Sequence, residues 1–510
     1  MPEHLKVLVI VLSAGVAVFW AGERILCPQT VQVADFRRRR NAWLGVVLIA
    51  FLAHNFWIAA FLTGWLTFYL ARRDPNPLAL YLTVLLAVPW YSMEIPGFGL
   101  VNYFVTLNHY KVINLAVLLP LVLSRAPAEP ASLAQRWTNW ALAAYLVYTE
   151  FMLIPARTMT GSMRGVVDIF ITVAIPYIAF SRMCPSGAAV REVISGFVVG
   201  AAVLGVVAPF ESLKGWLVYE SLREPLGIAP PDLLTYLFRG GEGLLRANGS
   251  VGNSIVLGYV MMLAMLLSIA LFPGSGWRKW ALIAPLVAGL VFALSRGPWI
   301  GCAVGLLILV FVRKASLRAL VSLSGASVTL VLAFQFVPQL HALIEFLPFL
   351  GSVDDHTVSY RQQLFEVGMV VFREHPIFGA IDYITNPVME QMRQGQGIID
   401  MVNSYLGVAL AFGAVGLLLF CLPFGLAIFC AARGLGRCSS PGCRKGNASL
   451  LAAVVGAMLT IATVSSIGAV APLYWMLIAL AVRFGSSFAQ ALSTRSGQAK
   501  LGSTESLVRG

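Results

Sequence analysis

Three arginines stand where polar loops meet apolar runs: Arg246 in LLRANGSVGNSIVLGYV, Arg296 in FALSRGPWIGCAVG and Arg361 in SYRQQLFEVGMVVF. A guanidinium fork matches phosphate oxygens two at a time and stays charged at any working pH, so such a set suits a lipid phosphate or diphosphate. The plainer reading of each alone is a snorkelling contact with a lipid headgroup. Gly297-Pro298 fixes the turn after Arg296 and leaves it the least freedom to snorkel. Arg361 opens an amphipathic segment with apolar residues at Leu364, Val367, Val370 and Val371, within the longest polar stretch of the chain, residues 338–401. That stretch also holds three of the six histidines (His341, His356, His375), Arg373, Arg393 and scattered carboxylates. Chemistry is expected there or on the membrane face beneath it.

Four more ionisable groups lie near the same ends of apolar runs: Glu150, Arg157, Arg164 and Asp168. Arg164 and Asp168 are spaced i,i+4 and would share a helix face. A structural ion pair is the plain reading, and a polar substrate cavity is the other. Several familiar signals are missing. There is no D-x-D, no phosphate loop of the G-x-x-x-x-G-K-[ST] type, and no histidine pair with zinc spacing. The seven cysteines fall in apolar runs or in loops of one side, so a disulfide framework is not expected, and Cys438 and Cys443 read as plain loop residues.

These residues must be positioned by membrane helices. The 510-residue chain is 58% hydrophobic and 12% charged, with a mean hydropathy of +0.81. A soluble domain carries about 25% charged residues. Apolar runs of spanning length, about 20 residues, recur from end to end. The first, 7–21, lacks a small-x-small cleavage pattern and reads as a retained helix. The net charge of +13 is a topology signal and points away from nucleic acid. If the arginine run at 37–40 faces the cytoplasm, the loops of that side hold 24 of the 36 Lys and Arg but only 6 of the 23 acids. That is the positive-inside pattern.

The expected fold is therefore an all-α polytopic membrane protein with about 12–15 transmembrane helices and one large periplasmic loop. Residues 41–70 read as a tight helical hairpin broken near His54-Asn55. Further spans are expected at 77–95, 109–124, 137–156, 165–181, 193–210, 255–272, 279–295, 297–312 and 318–337, with three more starting near 402, 449 and 469. WLVYESL, in the first long outer loop, reads as an interfacial helix with aromatic anchors. By region, 1–245 holds the N-terminal helices, 246–432 the functional core with loop 338–401, 433–485 the last helices, and 486–510 a disordered cytoplasmic tail.

SRGPWIG at an outer turn, the pattern SYR…FREHPIFG…VNSYLGVALAFGAVGLLLF, and RANGSVGNSIVLGYV together resemble the O-antigen ligase and Wzy-type polymerase superfamily, over roughly residues 246–420. The resemblance implies a metal-independent, GT-C-like membrane glycosyltransferase of the bacterial inner membrane, working on the periplasmic side without a cofactor. Its donor would be an undecaprenyl-pyrophosphate-linked glycan and its acceptor a second glycan. A flippase and a chain-length regulator would be pathway partners. On that pattern Arg246, Arg296 and Arg361 fall where the donor pyrophosphate is bound; Asn403, and the polar-cavity reading of Arg164, Asp168 and Glu150, add further expected substrate contacts. One departure stands out: ligases of this kind carry His-Asn before the span that follows the long loop, and here the pair is Val402-Asn403.

Displacement at an anomeric carbon with a lipid pyrophosphate leaving group needs neutralisation of developing charge and a base at the acceptor hydroxyl. With Val402 unable to serve, the base candidates are His356, Asp400, His375 and Glu374, with Glu150 or Asp168 behind them. The valine shifts the expectation toward an exopolysaccharide-type polymerase. A ligase to a lipid or protein acceptor is the alternative. A flippase or transporter of lipid-linked sugars is a third reading, disfavoured because the two halves of the chain differ.

Overall fold

A computed structural model describes residues 2–27, 30–99, 102–125, 130–183, 187–229, 244–272, 277–312, 355–393, 397–438, 440–466 and 468–485. The protein is helical almost throughout. In order the helices are α1 (Glu3–Leu26), α2 (Val33–Leu52), α3 (Phe56–Arg73), α4 (Pro77–Val84), α5 (His109–Ser124), α6 (Leu133–Leu153), α7 (Met159–Arg182) and α8 (Gly187–Lys214). They continue as α9 (Ser254–Ser268), α10 (Trp280–Phe292), α11 (Arg296–Val312), α12 (Asp355–Glu374), α13 (Ser404–Arg437), α14 (Pro441–Ile461) and α15 (Val470–Gly485). Among the described residues α1, α7, α8 and α13 are each long and apolar enough to cross a membrane. α8 is buried on nearly every side, packed against α4, α9 and α10, while α1, α7 and α13 keep much of their apolar surface outward. A helix apolar all round is at home inside a bundle or facing lipid. The expected span at 318–337, His341 and the tail 486–510 lie outside the described residues.

The hairpin expected over 41–70 is present. α2 ends at Leu52, His54 takes a left-handed φ of 49°, and the Asn55 side chain accepts from the N–H groups of Trp57 and Ile58 to cap α3. Both helices are 18–20 residues long, because α2 begins well before the arginine run. The expected span at 77–95 is a different object. α4 is eight residues, wholly buried, and gives way to two antiparallel strands, β1 (Ser92–Pro96) and β2 (Tyr103–Asn108). Eight residues rise only about 12 Å, so irregular backbone follows at depth, tolerated because protein surrounds it. WLVYESL is not an interfacial anchor either. Val218, Tyr219 and Leu222 are buried as short helical turns, and the Tyr91 hydroxyl donates to the Tyr219 carbonyl.

Two helices depart from α geometry side by side, at Asn114–Leu118 in α5 and Phe170–Ala174 in α7, where each widens to a π turn. Pro176 has no N–H to give the Thr172 carbonyl, and the Tyr110 hydroxyl donates there at 2.6 Å. The wider turn leaves the Ile171 carbonyl open, and the Asn114 amide donates to it at 2.9 Å. Side chains thus replace the backbone bonds that the irregularities remove.

Polar links between elements collect at two opposite ends of the bundle. At one end Arg39, 3% exposed, forks onto Asp74 at 2.8 and 3.0 Å and reaches Glu192 at 3.0 Å, while Arg37 and Arg40 pair with Glu23. At the same end Arg444 donates to the Val312 carbonyl. Cys438 and Cys443, read from sequence as plain loop cysteines, are joined there as a disulfide that ties the residue after α13 to the first turn of α14, a correction of that expectation. Proximity across the Ser440 cap explains it, since the Ser440 hydroxyl accepts from the Cys443 N–H and turns the chain back on itself. The other end gathers the described loop residues around 53–55, 89–99, 102–108, 215–229, 244–253, 293–296, 375–393, 397–403 and 462–466, and the candidate site lies there.

Candidate active site on one rim of the bundle

Arg246 is placed by a buried carboxylate. Glu211, fully buried near the end of α8, accepts from the backbone N–H groups of Asn248 (2.9 Å), Gly249 (2.8 Å) and Val218 (3.2 Å). Glu211 was not among the sequence candidates, although a carboxylate closing the apolar run VVAPFESL was a visible signal. The loop that Glu211 pins also bonds to the neighbouring turn: the Ala247 N–H donates to the Phe292 carbonyl at 3.1 Å. Arg246 and Arg296 therefore flank one backbone junction.

Arg296 starts α11 after a sharp turn in which Leu294 carries a left-handed φ of 47°, a conformation that costs energy outside glycine. The guanidinium Nε of Arg296 is buried with no hydrogen-bond partner among the described residues. Such a group is expensive to leave unpaired, which suits a site completed by an anion. Gly297 lies so close to Thr463 that a Cβ would sit 2.4 Å from its hydroxyl. The rim thus continues into the 462–466 loop. There Ser404 donates to the Val464 carbonyl at 2.8 Å and shares a 2.9 Å bond with Ser466, and Ser465 donates to the Met401 carbonyl at 2.5 Å.

Asp400 and Arg361 close this chain of contacts. The amphipathic face of α12 packs Leu364 and Val371 on Leu406 and Leu410 of α13, with Val367 half-buried, while Val370 is exposed. One turn earlier, the Tyr360 hydroxyl accepts from the Asp400 N–H and donates toward its carbonyl, both at 3.1 Å. That fixes Asp400 beside Arg361. Removal from water raises the Asp400 carboxyl above its ordinary value, and the nearby Arg361 charge pulls the other way. Tyr360 was missed in the sequence because an isolated tyrosine carries no motif.

The other sequence candidates fare differently. His356 lies in the first turn of α12, and its side chain falls outside the described residues. His375 is exposed just beyond the end of α12. Glu374 accepts from the Asn386 amide at 2.8 Å. Asn403 caps α13, its side-chain oxygen accepting from the Tyr405 and Leu406 N–H groups. The i,i+4 pair Arg164–Asp168 does not form. Asp168 pairs with buried Lys111, and Arg164 lies over the Tyr103 ring at 4.0 Å. The β-hairpin and α5 supply these better-placed partners, and no sequence pattern announced them. Glu150 pairs with Arg157 at 2.9 Å, over Gly165, where a Cβ would strike both groups.

Beside Met401, the residue after Asp400, lies an open cleft of about 310 Å³. Its walls include Tyr145, Phe420 and Tyr474, and Ser404, Ser465 and Ser466 also line it. The cleft exists because α13 breaks. Gly413 takes φ 65° and ψ −168°, and the helix resumes beyond it. The segment 376–380 fills the break: Ala380 N–H donates to Leu410 O (2.8 Å), and Ala414 and Val415 N–H donate to Pro376 O (2.9 Å) and Ile377 O (3.2 Å). The Tyr148 hydroxyl of α6 takes the Phe412 carbonyl at 2.9 Å. Helix ends that would otherwise be unsatisfied are thereby paired.

A polytopic helical membrane protein with guanidinium, carboxylate and hydroxyl groups gathered on one rim of its bundle is the class that this fold and site define. Residues 280–421 match the family model Wzy_C, O-Antigen ligase, and the match supports the O-antigen ligase and Wzy superfamily for this part of the chain. The matched region takes in α10, α11, α12 and the first half of α13, with Arg296, Arg361 and Asp400, and leaves Arg246 upstream. The match supports an enzyme of the general O-antigen ligase or polymerase type, a family whose substrates are a lipid-linked glycan and an acceptor. No curated protein matches the chain.

Proposed function

We propose that the protein polymerises undecaprenyl-pyrophosphate-linked oligosaccharide repeat units into an exopolysaccharide or O-antigen-like chain, at the periplasmic face of the bacterial inner membrane. The observation that carries this reading is the contact chain from Arg296, with its unpartnered buried Nε, through the 462–466 loop to Asp400 and Arg361. Guanidinium groups at that rim neutralise the pyrophosphate as it leaves, a role that needs no metal. Asp400 accepts the proton of the acceptor hydroxyl as that oxygen attacks the anomeric carbon, and its raised pKa suits a base better than an ordinary aspartate would. Valine at 402 favours the polymerase over a ligase, which would share the donor site. A flippase and a chain-length regulator are the expected pathway partners.

The test is chain growth by the purified protein in detergent, supplied with a lipid-pyrophosphate-linked repeat unit and EDTA, without ATP. Longer glycans on lipid are expected. Arg296→Ala and Arg361→Ala should each lower the rate by about 100-fold or more, the range seen when one preorganised charge-stabilising group is removed. Wild-type elongation by either variant removes that arginine from the mechanism. Translocation of lipid without chain growth replaces the proposal with a transporter.

A further inference from the structure

The cleft beside Met401 differs chemically from the arginine rim. Among the described residues its lining contains no carboxylate, amine, imidazole or guanidinium. Tyr145, Phe420 and Tyr474 form one aromatic cluster, with Tyr145–Phe420 ring centroids 5.5 Å apart and Phe420–Tyr474 5.9 Å apart. Hydroxyls of buried Ser404, half-buried Ser465 and exposed Ser466 also line it. The volume of about 310 Å³ lies at the lower end of the usual range of small-molecule sites, about 300–1,000 Å³, room for a single ring.

We infer that this cleft is a sugar subsite that takes an uncharged pyranose ring of the acceptor glycan and excludes acidic sugars. The inference rests on the proposed glycosyl transfer and deepens it. A pyranose presents a C–H face that packs on aromatic rings and an edge of hydroxyls that exchange hydrogen bonds with other hydroxyls. The cleft offers both: the serine hydroxyls, and the half-buried Tyr145 ring backed by buried Phe420 and Tyr474. A uronate or a phosphate would enter with no countercharge, and burying an unpaired charge is costly. Diphosphate therefore belongs at the rim, beside Arg296 and Arg361. Met401 lines the cleft and directly follows Asp400, so the cleft adjoins the segment that carries the carboxylate. The break in α13 gives the cleft its depth, since Val408 and Phe412 line it at the end of the first half-helix.

Saturation-transfer NMR on the full chain, in a detergent that carries no sugar, tests this with methyl glucoside, methyl galactoside and methyl mannoside against glucuronic acid. At least one neutral glycoside should show saturable transfer to its ring C–H protons, with glucuronic acid at least tenfold weaker. Val408→Trp fills the cleft and should abolish the signal, while Val408→Ala should keep it. Tyr145→Leu, which removes one aromatic wall from α6, should weaken binding at least tenfold and serves if the tryptophan variant fails to insert. Equal transfer to glucuronic acid, transfer indifferent to both blocking variants, or displacement of the glycoside by dodecanol at a lipid-chain slot would each overturn the inference. Chain growth measured on the same preparations separates the two readings. Sugar binding without elongation sinks the polymerase and leaves the subsite standing. Elongation at the wild-type rate in Val408→Trp sinks the subsite alone.

Discussion

Asp400 is the residue on which the acid–base half of the mechanism turns, and its environment sets a pH dependence. Partial burial raises its carboxyl, so protons bind it more readily than they bind an ordinary aspartate. A base must be deprotonated to act. Elongation should therefore fall as pH drops through a value above 3.8, the ordinary aspartate pKa, and hold steady above it. Asp400→Asn should reduce turnover by about 100-fold, within the usual range for a general base, and abolish the acid limb. In Arg361→Gln the favourable charge is gone, so the limb of any residual activity should move to higher pH. An acid limb that survives in Asp400→Asn assigns the base elsewhere, with His356 next. At this scale the sequence was informative for charged residues and silent for neutral ones. Arg296, Arg361 and Asp400 were legible because a charge beside an apolar run demands an explanation. Tyr360 and the three serines take their roles from partners 40 or more residues away, and nothing local marks them.

At the scale of elements, the break in α13 is the feature least visible beforehand. The run of 34 residues from Ser404 to Arg437 is apolar enough to read as uninterrupted helix, and Gly413 is one of several glycines in it. Only the partner segment 376–380, packed against it, explains why this glycine must take a conformation closed to other residues. Gly413→Ala should cost on the order of 1–3 kcal/mol from backbone strain alone. A Cβ there would also lie 2.2 Å from the Ile377 carbonyl, so loss of the folded protein in detergent is the expected result. Tyr148→Phe is milder. It removes the hydrogen bond to the Phe412 carbonyl, worth about 1 kcal/mol. It should lower the melting temperature slightly and turnover more, because the half-helix that it releases forms the cleft wall. Unchanged turnover with an unchanged melting point would remove Tyr148 from the support of the break. Elements with strong periodicity or a proper cap were read well, as at Asn55, where the hairpin turns. α4 was not, because a fully apolar eight-residue stretch followed by more apolar residues looks the same as a complete span.

For the whole molecule, the sequence carried topology as a charge count, and the structure gives that count a mechanical side. Arg39 is buried with Asp74 and Glu192, joining α2 to the start of α4 and to α8. Arg39→Leu leaves two carboxylates without their cation and should destabilise the bundle by about 3–5 kcal/mol, read as a lower midpoint in thermal unfolding. Arg37→Leu, on the exposed pair with Glu23, should change little. Equal effects would mean that the arginine run acts through membrane orientation alone. The division between a basic, ion-paired end and a rim of candidate chemistry also predicts what a cell lacking the protein contains. If the rim joins repeat units, deletion should leave single repeat units on the lipid carrier, and mass analysis of the extracted lipids would show them. If it transfers finished chains to another acceptor, full-length chains should accumulate on lipid instead, and the valine at 402 would lose its weight as a sign of polymerase chemistry. Restoring the deletion with Val402→His tests that weight directly: a polymerase that relies on Asp400 should still make long chains with the histidine present. Conversion of its product to chains attached elsewhere would show that this one position, and not the rim as a whole, decides between the two reactions.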